Sequence, residues 1–114
     1  MHELGIVMSI IKDTEEYMTQ NNLQSIEKIV LQVGALSGVV PKYLTDVFPM
    51  AIMDTKLSNT VLEVEETLGI GICNACGFRY DLIQNNNTCP LCKDTSFSII
   101  SGKEFMIKEL HTLE

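Results

Sequence analysis

The sequence predicts an α+β fold with two helices packed on a small mixed sheet of about three strands, and with a β-rich module inserted between two of the strands. Three observations support this prediction. Apolar residues recur every three or four positions in two segments and every second position in several others. Two Cys-x2-Cys pairs, separated by twelve residues, interrupt the strand-like segments. Apolar alternation then resumes after the second pair, too late in the chain to belong to the cysteine module alone.

The first helix is predicted to begin at Leu4. Its apolar and weakly polar residues lie three or four positions apart and form one face: Val7, Ile10, Ile11, Thr14, Tyr17 and Met18. Charged residues take the other side, and Asn21 and Asn22 end the helix. The segment is therefore an amphipathic helix that packs on the sheet, with its methionines assigned to the core.

A strand is predicted within residues 25–34, with one face well buried by Ile29, Leu31 and Val33. A second helix is predicted to begin at Pro41, because proline is favoured as the first helical residue. Val40 is a poor N-cap for that helix, and Pro49 is expected to kink or shorten it.

Three later segments also alternate. Residues 60–67 form a strand with an acidic outer side, and residues 78–82 form a strand whose Phe78, Tyr80 and Leu82 supply a small core. Residues 97–107 alternate around a bend at Ser101 and Gly102, and the last part is expected to return and pair with the earlier strands.

This arrangement predicts two domains. Residues 1–69 together with 99–114 form an α/β domain, and residues 70–98 form the cysteine-containing domain. Gly69 and Gly71 mark the connection between them.

The four cysteines, Cys73, Cys76, Cys89 and Cys92, have the spacing of a structural zinc site, because each Cys-x2-Cys turn directs two thiolates at one tetrahedral ion. The inserted module is therefore predicted to be zinc-ribbon-like. Two disulfides or a redox dithiol are alternatives, disfavoured by the doubled motif and by the absence of a signal peptide pattern. An iron site of the rubredoxin type uses the same ligand geometry and stays open.

Composition excludes several functions. The net charge of −7 leaves no basic face for phosphates, so nucleic-acid binding is disfavoured. No apolar run approaches the length of a membrane span, so a cytoplasmic protein without membrane contact is expected. There is no glycine-rich phosphate loop and no Ser/His/Asp set, so we do not expect an enzyme.

The N-terminus offers nitrogen ligands close together. Met1 is expected to be retained because His2 is large, which places the α-amino group one residue before the imidazole. Amine, imidazole and deprotonated amide nitrogens suit Ni(II) or Cu(II) better than Zn(II). The alternative is that His2 is an ordinary terminal residue.

Segments spread over nearly the whole chain resemble one family. They are Met1-His2-Glu3-Leu4, Val33-Gly34-x-Leu36-Ser37-Gly38-Val39 with Pro41, Leu62-x-Val64-Glu65-Glu66, the two cysteine pairs, and Ile99-Ile100-Ser101-Gly102-x-Glu104. Together, in this order, they resemble the hydrogenase maturation nickel metallochaperones of the HypA/HybF type.

The resemblance implies a nickel-binding α/β domain, a separate structural zinc domain, and delivery of Ni(II) as cargo to the large subunit of [NiFe]-hydrogenase with help from a maturation GTPase. The family's nickel ligand matches His2, with Glu3 and its amide beside it, and its zinc ligands match the four cysteines. Monomer and homodimer both stay open.

Val40 and Ala35 are among the departures from the family pattern. Many members carry an acidic residue immediately before the proline that matches Pro41, where this chain has Val40, and Ala35 stands where glutamate is common.

The alternative function belongs to another class of protein. It is a zinc-ribbon interaction module without transferable metal.

Overall fold

The computed structural model describes residues 3–112. Two helices and six strands follow one another along this part of the chain: α1 (Glu3–Gln20), β1 (Lys28–Gly34), α2 (Pro41–Ala51), β2 (Val61–Thr67), β3 (Ile70–Cys73), β4 (Arg79–Asp81), β5 (Phe97–Ser101) and β6 (Phe105–His111). Within these residues, neither helix combines the length and hydropathy that crossing a bilayer requires.

The strands form two three-stranded sheets, in the orders β2-β1-β6 and β4-β3-β5. In the first sheet β1 and β2 run parallel. The Val61 amide donates to the Glu27 carbonyl at one end (3.0 Å), and the Ala35 amide donates to the Thr67 carbonyl at the other (2.9 Å).

Strand β6 runs antiparallel to β1. The Glu27 amide donates to the His111 carbonyl (2.7 Å), and the Gly34 amide donates to the Glu104 carbonyl (2.7 Å). The sheet is therefore mixed, as predicted. The C-terminal strand returns to pair with β1, and β3, β4 and β5 are inserted in the chain between β2 and β6.

The chain forms two compact units. One, here called the helical unit, comprises residues 3–32, 40–65 and 106–112 of the described chain. The other, here called the cysteine unit, comprises Val33–Val39 and Glu66–Phe105. The cysteine unit is larger than residues 70–98 because residues 33–39 bond to its first and last segments. One such bond joins the Leu36 amide to the Gly102 carbonyl (2.7 Å). Which unit holds which metal stays a prediction.

The core of the helical unit includes one face of α1. The residues of α1 that are buried lie three or four positions apart: Val7, Ile10, Ile11, Thr14 and Met18. Tyr17 and Met8 were assigned to the core from the sequence, but they are half-exposed. The reason is that the buried stripe is narrower than predicted, so residues on either side of it reach solvent.

Strand β1 is buried on both faces at its centre, where Ile29, Val30 and Leu31 are all at most 1% exposed. One buried face was predicted. On the other face, Lys28 pairs with Glu63 at 3.1 Å. Lys108 of β6 pairs with Glu65 of β2 at 2.7 Å, so this ion pair joins the two edge strands across β1.

Helix α2 begins without a side-chain cap. Val40 occupies the N-cap position in an extended conformation (φ −96°, ψ 112°) and makes no capping hydrogen bond. Pro41 follows as the first helical residue, and Pro49 lies inside the helix near its end at Ala51. The predicted start is therefore confirmed, and the helix continues for two residues past Pro49.

Replacing Val40 by aspartate is expected to stabilise the protein by about 1 kcal/mol. The aspartate carboxylate at the N-cap accepts a hydrogen bond from a backbone amide of the first turn that has no partner within the helix. Urea unfolding measures the change. Val40→Ala is the matched control, since it removes the exposed valine without supplying a cap. Equal stability of the aspartate and alanine variants would contradict the prediction.

Candidate metal centre

The fold brings the four cysteine sulfurs together. The Sγ atoms of Cys73, Cys76, Cys89 and Cys92 all lie within 4.8 Å of one another. Cys73 Sγ is 3.5 Å from Cys92 Sγ, and Cys76 Sγ is 3.7 Å from Cys89 Sγ. Four thiolates at about 2.3 Å from one tetrahedral zinc ion are about 3.8 Å apart, so two of these distances already match such a site.

The cysteines form no disulfides. All four are free thiols in the structure, and their closest sulfurs are 3.5 Å apart, far beyond the bond length of about 2.05 Å. Among residues 3–112 they form the one group of three or more side chains that could hold a metal ion together.

The first cysteine turn is held by two backbone hydrogen bonds. The Gly77 amide donates to the Cys73 carbonyl (2.8 Å), and the Cys73 amide donates to the Phe78 carbonyl (2.9 Å). Gly77 has φ +80°, which glycine adopts without the clash that a Cβ would cause. The turn thereby holds the Cys73 and Cys76 side chains on the side that faces the other two cysteines.

The second cysteine turn repeats this pattern residue for residue. The Lys93 amide donates to the Cys89 carbonyl (2.9 Å), and the Cys89 amide donates to the Asp94 carbonyl (2.9 Å). Lys93 therefore occupies the position of Gly77, and it too has a positive φ, of +69°. A lysine in this left-handed conformation is strained.

Replacing Lys93 by glycine is expected to stabilise the metal-loaded protein by about 0.5–1 kcal/mol. Relief of the left-handed strain, about 1–2 kcal/mol, exceeds the entropy that glycine loses on folding. Thermal unfolding measures the change. Lys103→Gly is the matched control, because Lys103 is exposed and is absent from the positive-φ residues of the described chain, so the same substitution there destabilises. A destabilised Lys93→Gly variant would contradict the prediction.

The metal centre is buried on one side only. Cys73 and Cys89 are at most 1% exposed and pack in a small core with Tyr80 and Leu82, whereas Cys76 and Cys92 are exposed. Phe78 was predicted to belong to this core but is 42% exposed. It lies in the first cysteine turn just before β4, so the strand alternation that buries Tyr80 does not yet apply to it.

The thiols differ in acidity. Burial acts to raise the pKa of Cys89, but amide hydrogen bonds from Cys92 and Leu91 outweigh it and lower that pKa to about 7. The amide hydrogen bond from Asp94 acts to lower the pKa of Cys92, but the neighbouring sulfur of Cys73 and burial raise it to about 12. Four adjacent thiolates repel one another, so a cation is needed to hold all of them ionised.

Tyr80 responds to the same charges. Burial raises the pKa of its phenol, and negative charge on Cys73 and Cys89 adds to the effect. Its side chain packs in the small core that also contains the two buried cysteines.

The predicted nickel ligands are at the other end of the chain. His2 lies outside the described residues. Glu3 is the first residue of α1 and is partly buried. The second histidine, His111, ends β6, and its imidazole bonds to the Glu109 carboxylate at 2.6 Å.

Comparison with known proteins identifies the family. The family model described as hydrogenase/urease nickel incorporation, metallochaperone, hypA matches residues 1–112. The chain belongs to the HypA family. The HypA match covers both the Met1-His2-Glu3 start and the four cysteines, and it confirms the resemblance found in the sequence.

Curated HypA proteins match over nearly their whole length. The hydrogenase maturation factor HypA of Chlorobium limicola is 32% identical over 96% of this chain and 95% of its own length. That of Crocosphaera subtropica is 35% identical over 100% of this chain and 97% of its own length. The chain is therefore a member of a family of hydrogenase maturation factors.

Two solution structures share the fold. One, of the Ni metallochaperone HypA from Helicobacter pylori, covers 99% of this chain and 98% of its own, with a TM-score of 0.67 and 22% identity. The other, of a HypA protein, has a TM-score of 0.70, also at 22% identity, and covers 99% and 97%. The predicted fold class is confirmed.

Proposed function

We propose that this chain binds Ni(II) at its N-terminus through His2, with Glu3 beside it, and delivers the ion for maturation of [NiFe]-hydrogenase. The observation that carries the proposal is the family match over residues 1–112, since that family is described as a nickel incorporation metallochaperone. Delivery to the hydrogenase large subunit, with help from a maturation GTPase, belongs to the same proposal. So do a cytoplasmic location, a non-enzymatic role, and assembly as a monomer or homodimer.

The four cysteines hold a structural Zn(II) in this proposal. Two of the sulfur–sulfur distances fit a tetrahedral set of four thiolates, and such a set leaves no open position for exchange. Bound zinc would supply charge compensation and rigidity to the cysteine unit. Colourless purified protein with one zinc per chain is the expected result, whereas a red protein with iron would favour the rubredoxin-type alternative.

Nickel transfer calls for a different kind of site from this cysteine cluster. A metallochaperone holds its ion tightly enough to prevent loss and weakly enough to release it, which favours a few nitrogen ligands at a chain end over a cage of thiolates. His2, the terminal amine and the Glu3 amide are such ligands.

A nickel titration of zinc-loaded, tag-free protein tests the proposal. The native chain is expected to bind one Ni(II), and His2→Ala is expected to weaken binding at least ten-fold. The matched control is His111→Ala, because the chain has two histidines and only one is assigned to nickel. A form extended at the N-terminus tests whether the amine is a ligand, in which case it too binds more weakly.

Nickel affinity is expected to fall as the pH is lowered from about 7.5 to about 5.5, because imidazole and amine bind only when deprotonated. If native protein, His2→Ala and His111→Ala bound nickel alike, the proposal would fail. The chain would then be a zinc-ribbon interaction module without transferable metal.

A further inference from the structure

The Tyr80 side chain presents a polar atom to an apolar pocket. Tyr80 is 5% exposed and lies in the core formed by Cys73, Leu82 and Cys89. Its hydroxyl is fully buried, and no hydrogen-bond partner for it is found among residues 3–112. Because a buried hydroxyl without a partner is costly, native structures rarely keep one unless an ordered water, a ligand or an ion completes its environment.

Strand register places Tyr80 beside a metal ligand. Tyr80 of β4 is paired with Gly71 of β3, and Cys73 lies two residues further along β3 on the same face. Tyr80 and Cys73 are therefore diagonal neighbours, a separation that an aromatic side chain reaches. The Leu82 side chain packs over Gly71, where an added Cβ would lie 2.8 Å from Leu82 Cδ2.

We propose that the Tyr80 hydroxyl donates an O–H···S hydrogen bond to the Cys73 thiolate when the four cysteines hold a metal ion. This inference rests on the metal centre proposed above and names a residue that positions and tunes its ligand. A neutral thiol is a weak acceptor, whereas a metal-bound thiolate carries negative charge and accepts strongly. Some of the sulfurs are up to 4.8 Å apart, so they must draw together on metal binding.

Two of the four cysteines, Cys73 and Cys89, are buried beside Tyr80. Of these two, Cys73 is the one that the β3–β4 register places diagonal to Tyr80, so its thiolate is the acceptor that we assign to the phenol. The hydrogen bond would withdraw electron density from this sulfur and hold the ligand in one orientation, as outer-shell partners of metal ligands do.

The test uses the full chain loaded with Co(II) or Zn(II), comparing native protein with Tyr80→Phe. Co(II) bound by four thiolates gives an intense sulfur-to-metal charge-transfer band. Loss of the hydrogen bond makes the sulfur more electron-rich, so the band is expected at longer wavelength in Tyr80→Phe. Zinc affinity, measured by competition with a chromophoric chelator, is expected to fall about ten-fold.

Leu82→Val is the control for packing, because Leu82 belongs to the same core and has no polar atom. It is expected to lower stability without moving the charge-transfer band. A Tyr80→Phe variant with the native band and native zinc affinity would overturn the inference while leaving the metal centre intact. A native protein that gave no tetrathiolate cobalt spectrum would overturn the metal centre as well.

Discussion

Replacing Cys89 by alanine is expected to abolish stable zinc binding and to unfold the cysteine unit. The core of this unit is small, and two of its four buried members, Cys73 and Cys89, are cysteines that we propose as zinc ligands. Structural zinc contributes about 10–16 kcal/mol of folding free energy in small zinc modules, which exceeds what so few apolar contacts supply. Loss of one thiolate removes most of that contribution.

Two measurements report the effect. They are the amount of zinc per chain after dialysis against a chelator and amide hydrogen exchange across residues 66–105. The Asn87 amide, which donates to the Leu82 carbonyl at 2.8 Å, is expected to lose its protection. Thr95→Ser is the matched control in the same exposed loop and is expected to retain both zinc and protection. If Cys89→Ala kept one zinc and native protection, the metal centre as proposed would be wrong.

Replacing Gly102 by alanine is expected to destabilise the protein by about 3–5 kcal/mol, through backbone strain and overpacking together. Gly102 has φ +111°, a conformation that L-residues rarely adopt. An added Cβ would lie 2.5 Å from the Gly69 Cα and 3.0 Å from the Leu68 carbonyl oxygen, and backbone cannot move aside as a side chain can. Urea unfolding and exchange of the Leu36 amide, which bonds to Gly102, measure the loss.

Replacing Gly5 by alanine is expected to have the opposite effect on stability. Gly5 is exposed within α1, and nothing lies within 4 Å of the position that a Cβ would occupy. Alanine there is expected to stabilise the protein by about 0.5–1 kcal/mol, because glycine is a poor helix former. Equal effects at the two sites would show that the close approach at Gly102 has no energetic consequence.

The sequence predicted the helices and strands in which apolar residues recur at a regular spacing. The 3.6-residue period of α1, the alternation in β2 and β6, and the paired cysteines are local signals, and the structure confirms each of them. The clustering of the four cysteines could be predicted because each pair is set by a short turn. The nickel site is different: His2 lies outside the described residues, so its ligand set stays a prediction.

Features that depend on distant residues could not be predicted in the same way. The Glu65–Lys108 ion pair joins strands more than forty residues apart in the chain, and the burial of Val30 is likewise not visible in the local alternation. The left-handed Lys93, by contrast, had a signal in the sequence. It stands four residues after Cys89, as Gly77 stands four residues after Cys73.

The contact between Gly69 and Gly102 means that the chain enters and leaves the β3–β5 segment at adjacent points of the backbone. A segment with neighbouring ends can change in length or be exchanged for another without altering the spacing that its flanking strands must keep. Residues 70–101 are therefore an insertion whose two ends lie next to each other. They could be excised and closed with a short turn, whereas a graft into an unrelated host would also have to replace the contacts that Leu36 makes with this segment.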